Sequence, residues 1–181
     1  MRVIFMVEEP SMKALLEVIL PQILPIDIEL LIIPHSGKSD LAKSIPRKLR
    51  IWHRPDDKFV IVHDQDSNDC VKLKSDLISL CKSGKNEYLV RIVCIELESW
   101  YFGDLKAVSL PYGKNVSQFA RKRKYREPDK IVNAKDELRR LIPTYQPLEG
   151  AKKIAAFMEV DNNTSHSFNT FVRGVKMICR A

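Results

Sequence analysis

Phe59-Val60-Ile61-Val62-His63-Asp64-Gln65-Asp66-Ser67-Asn68-Asp69 is an apolar run that gives way to three acids. Phe59 to Val62 is β-branched and aromatic, the composition of a short strand buried on both faces. If the backbone stays extended, Asp64 and Asp66 point to one side and His63 to the other. Two carboxylates on one side, at the carboxyl end of a central strand, form a hard-oxygen site suited to Mg²⁺ or Mn²⁺. The same acids would serve equally well as the cap of a following helix, and this stretch alone does not choose between the two readings.

Working outward, Arg2 to Val7 reads as a first strand, broken by Glu8-Glu9-Pro10-Ser11. Ser11 is a candidate N-cap, and Met12, Leu15, Leu16 and Ile19 recur at helical spacing until Pro21 and Pro25. Ile28 to Ile33 is a second strand, followed by the turn Pro34-His35-Ser36-Gly37. Lys38 to Arg50 is helical in pattern apart from Pro46. Beyond the acids, Cys70, Leu73, Leu77, Leu80 and Cys81 form a helical stripe that stops at Gly84. Tyr88 to Ile95 is a fourth strand, interrupted only by Arg91. This alternation predicts an α/β fold: a mostly parallel sheet of four strands or slightly more, covered on both faces by helices. Ligands of such sheets bind outside the carboxyl ends of the strands. Glu8-Glu9, His35 to Lys38, Asp64 to Asp66 and Glu96-Leu97-Glu98 all fall there.

The second half lacks this rhythm. Trp100, Tyr101 and Phe102 sit in a segment expected to pack on the sheet, and Leu110-Pro111-Tyr112-Gly113 reads as a turn. The densest basic run is Arg121-Lys122-Arg123-Lys124-Tyr125-Arg126. Helices are expected over 133–142, 149–158 and 165–179. The expected organisation is one domain over 1–181, with an α/β core over 1–105 and a mainly helical extension over 106–181.

Composition narrows the function classes. The 181 residues are 45% hydrophobic and 29% charged, which is globular rather than disordered. No apolar run approaches the roughly 20 residues needed to span a bilayer, and the first segment is too short for a signal core, so a cytoplasmic protein is expected. Cys70, Cys81, Cys94 and Cys179 have neither zinc nor disulfide spacing and read as reduced thiols. The net charge of +7 favours an anionic partner such as nucleic acid.

His35-Ser36-Gly37-Lys38-Ser39 resembles the end of a phosphate-binding loop, but Ile32 stands where such a loop needs its first glycine. A local anion contact through Lys38 remains open. The acids after the first and third strands also resemble those of phospho-receiver domains, although the basic second half fits that pattern poorly. A better match is one Glu after the first strand with an Asp-x-Asp after a later one. Val7-Glu8-Glu9-Pro10-Ser11 and Val62-His63-Asp64-Gln65-Asp66 resemble the Toprim arrangement of primases, topoisomerases and overcoming-lysogenization-type nucleases. Three longer strings are similar to a Toprim-like bacterial family of uncharacterised function, whose members are often encoded beside an ATPase in two-gene defence modules. They are His35 to Leu41, Arg91 to Tyr101 and Ser165 to Phe168.

The resemblance implies a Toprim-like fold and a Mg²⁺- or Mn²⁺-dependent nuclease acting on DNA or RNA, working as an anti-phage effector with an ATPase partner. It assigns Glu8 as general acid/base or metal ligand and Asp64 and Asp66 as the metal-holding pair. Glu96 is added as a metal ligand on position alone. Lys38, Arg121, Lys122, Arg123, Lys124 and Arg126 are candidates to hold the nucleic-acid backbone, with Tyr125 available for stacking. A solvated face or a protein-docking surface accounts equally well for the basic run. The chain departs from the pattern at Glu9, where glycine is usual, and at Met12 and Lys13, where a second acid is often found. A non-catalytic adaptor and an enzyme acting on a small phosphorylated substrate are the competing readings. The oligomeric state, a homo-oligomer included, stays open.

Overall fold

Four apolar segments form the strands β1 (Arg2–Val7), β2 (Glu29–Pro34), β3 (Lys58–Asp64) and β4 (Tyr88–Val93), in a computed structural model that describes residues 1–180. All of them pair in parallel, in the order β2-β1-β3-β4. The two central strands carry the apolar run that two-sided burial demands: Val3 to Val7 and Phe59 to Val62 have no exposed surface. The helices are α1 (Pro10–Ile23), α2 (Lys38–Ile51), α3 (Cys70–Cys81), α4 (Glu98–Phe102), α5 (Leu105–Tyr112), α6 (Ala134–Leu141), α7 (Pro147–Ala155) and α8 (His166–Ile178).

The alternation of side chains along each strand divides the interior in two. Ile4, Met6, Phe59 and Ile61 face α2 and α3, where Leu41, Ile45 and Leu77 cover them. Phe5, Val60 and Val62 face the opposite way, into a larger cluster that takes Leu15 and Ile19 from α1, Trp100 from α4, Ile154 from α7 and Phe168 and Phe171 from α8. Helices therefore lie on both faces of a four-stranded parallel sheet. The helices after α4 share one apolar cluster with β1 and α1. Trp100 is its hub: its ring lies 5.2 Å from Phe168 and 5.1 Å from Phe171, and its indole N–H donates to Ser167 Oγ at 2.9 Å.

Several local expectations shift, each for a physical reason. Pro21 lies inside α1 instead of ending it, and Pro46 lies inside α2 without interrupting it. A helical proline forfeits a hydrogen bond, but burial of Leu20 and Ile23 in α1, and of Leu49 in α2, holds the turn in place. The N-cap of α1 is Glu9 and not Ser11, because Pro10 already occupies the first helical position. Leu110 to Tyr112 completes α5 rather than a turn, and left-handed Gly113 (φ 60°) closes it. Asp69 caps α3 by accepting the Lys72 amide at 2.7 Å. β4 stops at Val93 because Ile95 turns left-handed (φ 62°).

Phe171 touches both sheet and helices, with its ring 6.5 Å from Phe5 and 5.1 Å from that of Trp100. Phe171→Ala is expected to cost about 3–5 kcal/mol. Urea unfolding followed by tryptophan fluorescence and by circular dichroism should give one coincident transition at a lower midpoint. Two separated transitions would mean that the helices after α4 unfold independently of the sheet.

Candidate functional site

The chain leaves β1 for β2 on one side and later returns to lay β3 on the other. The carboxyl ends of β1 and β3 therefore flank the point where strand order reverses, the usual ligand position in such sheets. Val7 is registered beside Val62, so the residues just beyond meet. Glu8 Oε2 accepts the Asp64 amide at 3.4 Å and lies 3.3 Å from His63 Nδ1. The structure thus brings Glu8 and Asp64 together from distant parts of the chain. His63, expected on the side away from Asp64 and Asp66, is within ion-pair range of Glu8. It shares the α2/α3 side of the sheet with Met6, two residues before Glu8, and Glu8 follows the alternation to that side.

Asp66 does not follow the extended-strand expectation. The strand ends at Asp64, and Asp66 adopts a left-handed backbone (φ 51°). Its amide donates to Ile95 O at 2.8 Å, and Ile95 is itself left-handed. The loops after β3 and β4 are thus tied together through two strained residues, one of them β-branched, as is common at functional sites. The Asp66 carboxylate turns to Lys38 Nζ, 3.4 Å away at the start of α2. Gly37, with φ 99°, lets the chain enter α2 while its amide donates to Glu8 O at 3.0 Å.

Behind Asp64 lies a second acid that residue spacing did not single out. Glu98 is 2% exposed and accepts from Tyr145 Oη at 2.8 Å. Asp64 Oδ2 accepts the Leu97 amide at 3.3 Å. Burial, then the charges of Glu8 and Glu98, push the Asp64 carboxyl well above the usual carboxylate range. Burial also raises Glu8; His63 opposes the rise and Asp66 adds to it. Burial raises Glu98, with Lys135 opposing. Burial works against the charge on Lys135, but Glu98, Glu9, Glu96 and Asp64 outweigh it and hold the ammonium form above its ordinary range. Glu98 stands among the strand-end acids of the sequence, whereas Lys135 and Tyr145 belong to the site by tertiary packing alone and no local pattern marks them.

Glu96 is committed elsewhere: its Oε2 accepts the Lys135 amide at 2.8 Å and so satisfies the start of α6. The basic run forms short turns over 117–121 and 123–125. Arg121, Lys122, Arg123 and Arg126 are exposed. Lys124, exposed as well, pairs with Glu137 at 2.7 Å, and Glu137 is held down to about 2 chiefly by hydrogen bonds from Arg140. Tyr125 is not available to stack on a base. It is 5% exposed, stacked on Phe102 at 5.6 Å, with its hydroxyl on Glu137. Trp100 and Tyr101 are core residues, and the Tyr101 hydroxyl is buried without a hydrogen-bond partner.

Among the described residues no three His, Cys, Asp or Glu side chains are arranged around a common point that would hold a metal ion. The donor chemistry does suit a hard divalent cation. Glu8 and Asp64 offer oxygen ligands whose charge is destabilised by burial and by each other, a deficit that a cation would offset. Asp66 would have to turn from Lys38 to complete the set.

The family pattern described as "Domain of unknown function (DUF4276)" matches residues 7–176. Among solved structures, the chain is similar to the C-terminal region of the Burkholderia pseudomallei OLD protein. The match has 17% sequence identity and a TM-score of 0.58, and covers 98% of this chain and 96% of that one. No curated protein matches. At this identity the likeness speaks to fold alone, and it agrees with the expected α/β architecture built on a parallel sheet.

A carboxyl whose folded-state pKa is raised stabilises the fold only while protonated. That contribution is present below the unfolded pKa and is lost as pH rises through the folded pKa. Asp64 therefore costs stability at neutral pH, and Asp64→Asn should raise the melting temperature at pH 8, by about 1 kcal/mol of added stability. The gain should shrink as the pH is lowered towards 4, where wild-type Asp64 is itself neutral. Melting curves from pH 4 to 8 test this; a variant less stable than wild type at pH 8 would contradict it.

Proposed function

This chain belongs to the DUF4276 family, and on that footing we propose that it is a Toprim-like nuclease that hydrolyses phosphodiesters of DNA or RNA with Mg²⁺ or Mn²⁺. The observation that carries this reading is the meeting of Glu8 and Asp64 at the strand-order switch, both with raised proton affinity. Glu8, Asp64 and Asp66 would hold the cation, which when bound offsets charge on the phosphodiester and orients water for in-line attack. Glu8 is suited to accept a proton from that water, since its carboxyl already sits above the usual range. Glu96, which the sequence reading placed among the ligands, remains the cap of α6 in this proposal.

The remaining residues bind and balance charge. Lys135 offsets the carboxylates around Asp64 and Glu98. Lys38, 60% exposed, becomes free for a phosphate when Asp66 turns to the cation. Arg121, Lys122, Arg123 and Arg126 stand exposed, ready to hold a nucleic-acid backbone. Lys124 is drawn into the Glu137 ion pair and contributes less. An ATPase partner and an anti-phage role extend this proposal; their support is the family resemblance of the sequence strings.

A specific observation favours a second reading, a Toprim-like adaptor without catalysis that docks on an ATPase. Asp66 is paired with Lys38 rather than turned towards Glu8 and Asp64, and Met12 and Lys13 stand where a further acid is common in the pattern. The two readings part in one experiment. With Mn²⁺ or Mg²⁺, supercoiled plasmid or single-stranded RNA should be cleaved, and Asp64→Ala and Glu8→Gln should each lose about 100-fold or more, beyond what an outer-shell partner contributes. Mn²⁺ should also raise the melting temperature of wild type but not of Asp64→Asn. Because the raised carboxyls take up protons readily, that stabilisation should fade as pH falls, before ordinary carboxylates would titrate. Cleavage unchanged in both variants would overturn the nuclease site. Absence of cleavage with the protein folded would leave the adaptor.

A further inference from the structure

β4 is an outer strand, and among the described residues no strand pairs with its far side. Its ladder to β3 brackets the pairing: Phe59 donates to Glu87 O and Gln65 to Val93 O, both at 2.9 Å. The register places Leu89, Arg91 and Val93 inward, so Tyr88, Val90 and Ile92 turn their backbone N–H and C=O groups outward. This edge is the floor of a groove between α3 and α8, formed by adjoining hollows. Arg91 lines the first two, and Cys94 and His166 join the second to the third.

Arg91 is the anomaly in the groove, the one charged residue in an otherwise apolar strand. Its guanidinium lies flat on α8 at Gly174, where a Cβ would come within 2.2 Å of Nη2. The helix thus carries a glycine in its interior, unfavourable for helicity, at the point where this arginine rests. Nη1 donates to Val90 O at 3.1 Å, Nε is buried without a partner, and among the described residues no carboxylate faces the group. A half-buried arginine without an acid is incomplete. Lys74 and Arg173 add positive charge, and exposed Met177 supplies apolar surface.

We propose that β4 receives an extended segment of a partner protein as an added strand, carrying one acidic side chain opposite Arg91 with apolar residues on either side. Main-chain pairing would come from Tyr88, Ile92 and the Val90 amide, the Val90 carbonyl being held by Arg91, and the acid would supply the carboxylate that Arg91 lacks. A peptide fits better than a nucleic acid: the edge presents donors and acceptors at strand spacing, and the walls are largely apolar. This inference makes no use of the cation site and stands or falls separately from the proposed nuclease activity.

The probe is a fluorescein-labelled nine-residue peptide of alternating valine and threonine with a central aspartate. Its controls are the same peptide with lysine at the centre and one N-methylated on alternate amides. Fluorescence anisotropy should show saturable binding of the aspartate peptide. Binding should weaken about tenfold or more for the lysine peptide and for Arg91→Gln, and vanish for the N-methylated one. Hydrogen exchange at the Tyr88, Val90 and Ile92 amides should slow when the peptide binds. Circular dichroism of Arg91→Gln verifies its fold, and the N-methylated control needs no variant. No binding of the aspartate peptide up to about 1 mM, or equal binding of the N-methylated one, overturns the proposal. So does protection of these amides by oligo(dT) but not by peptide, which would make the groove a nucleic-acid site. Self-association of the wild type that Arg91→Gln abolishes would make the occupant a second copy and overturn it equally.

Discussion

The register between β1 and β3 governs the rest of this molecule. Setting Val7 beside Val62 places Glu8 next to Asp64 at the rim. β2 and β3 lie on opposite sides of β1, so the strand order reverses where these carboxylates meet, the place where such sheets bind ligands. Two-sided burial is what holds the register: a one-residue slip would exchange the faces of every side chain on β3 and break both apolar clusters at once.

That rigidity lets the protein keep an unfavourable arrangement of charge. Glu8, Asp64 and Glu98 are gathered where burial and mutual repulsion raise their proton affinities, and Lys135 compensates in part. Left-handed Asp66 and Ile95 add local backbone strain at the same place. Sites of this kind trade stability for chemistry, and the interior around Trp100 supplies the stability that is traded.

The helices beyond α4 complete the site as well as covering the sheet. Tyr145, just before α7, binds Glu98, and α6 brings Lys135 to the acids while Glu96 anchors its first turn. α8 lies along the open side of β4 and lays Gly174 under Arg91. The rim of the sheet thus carries the acid cluster, and its outer edge carries a cation with no acid facing it among the described residues.

The strand–helix alternation, the parallel sheet and the acids at strand ends were legible in the sequence, because two-sided burial writes itself as unbroken apolar runs. Glu8 with Asp64 followed from the same logic, since strand ends in such a sheet must share a rim. Residues with no local signature were decided by the tertiary structure. Lys135 and Tyr145 join the site only because the later helices fold back over it, and spacing along the chain carries no trace of that. Tyr125, open for stacking in the sequence, was claimed by Phe102 and Glu137. Asp66 left the side it would share with Asp64 because the strand ended first. Alternation holds only as long as the backbone stays extended, and where it stops is set by neighbouring loops: here, the hydrogen bond from Asp66 to left-handed Ile95.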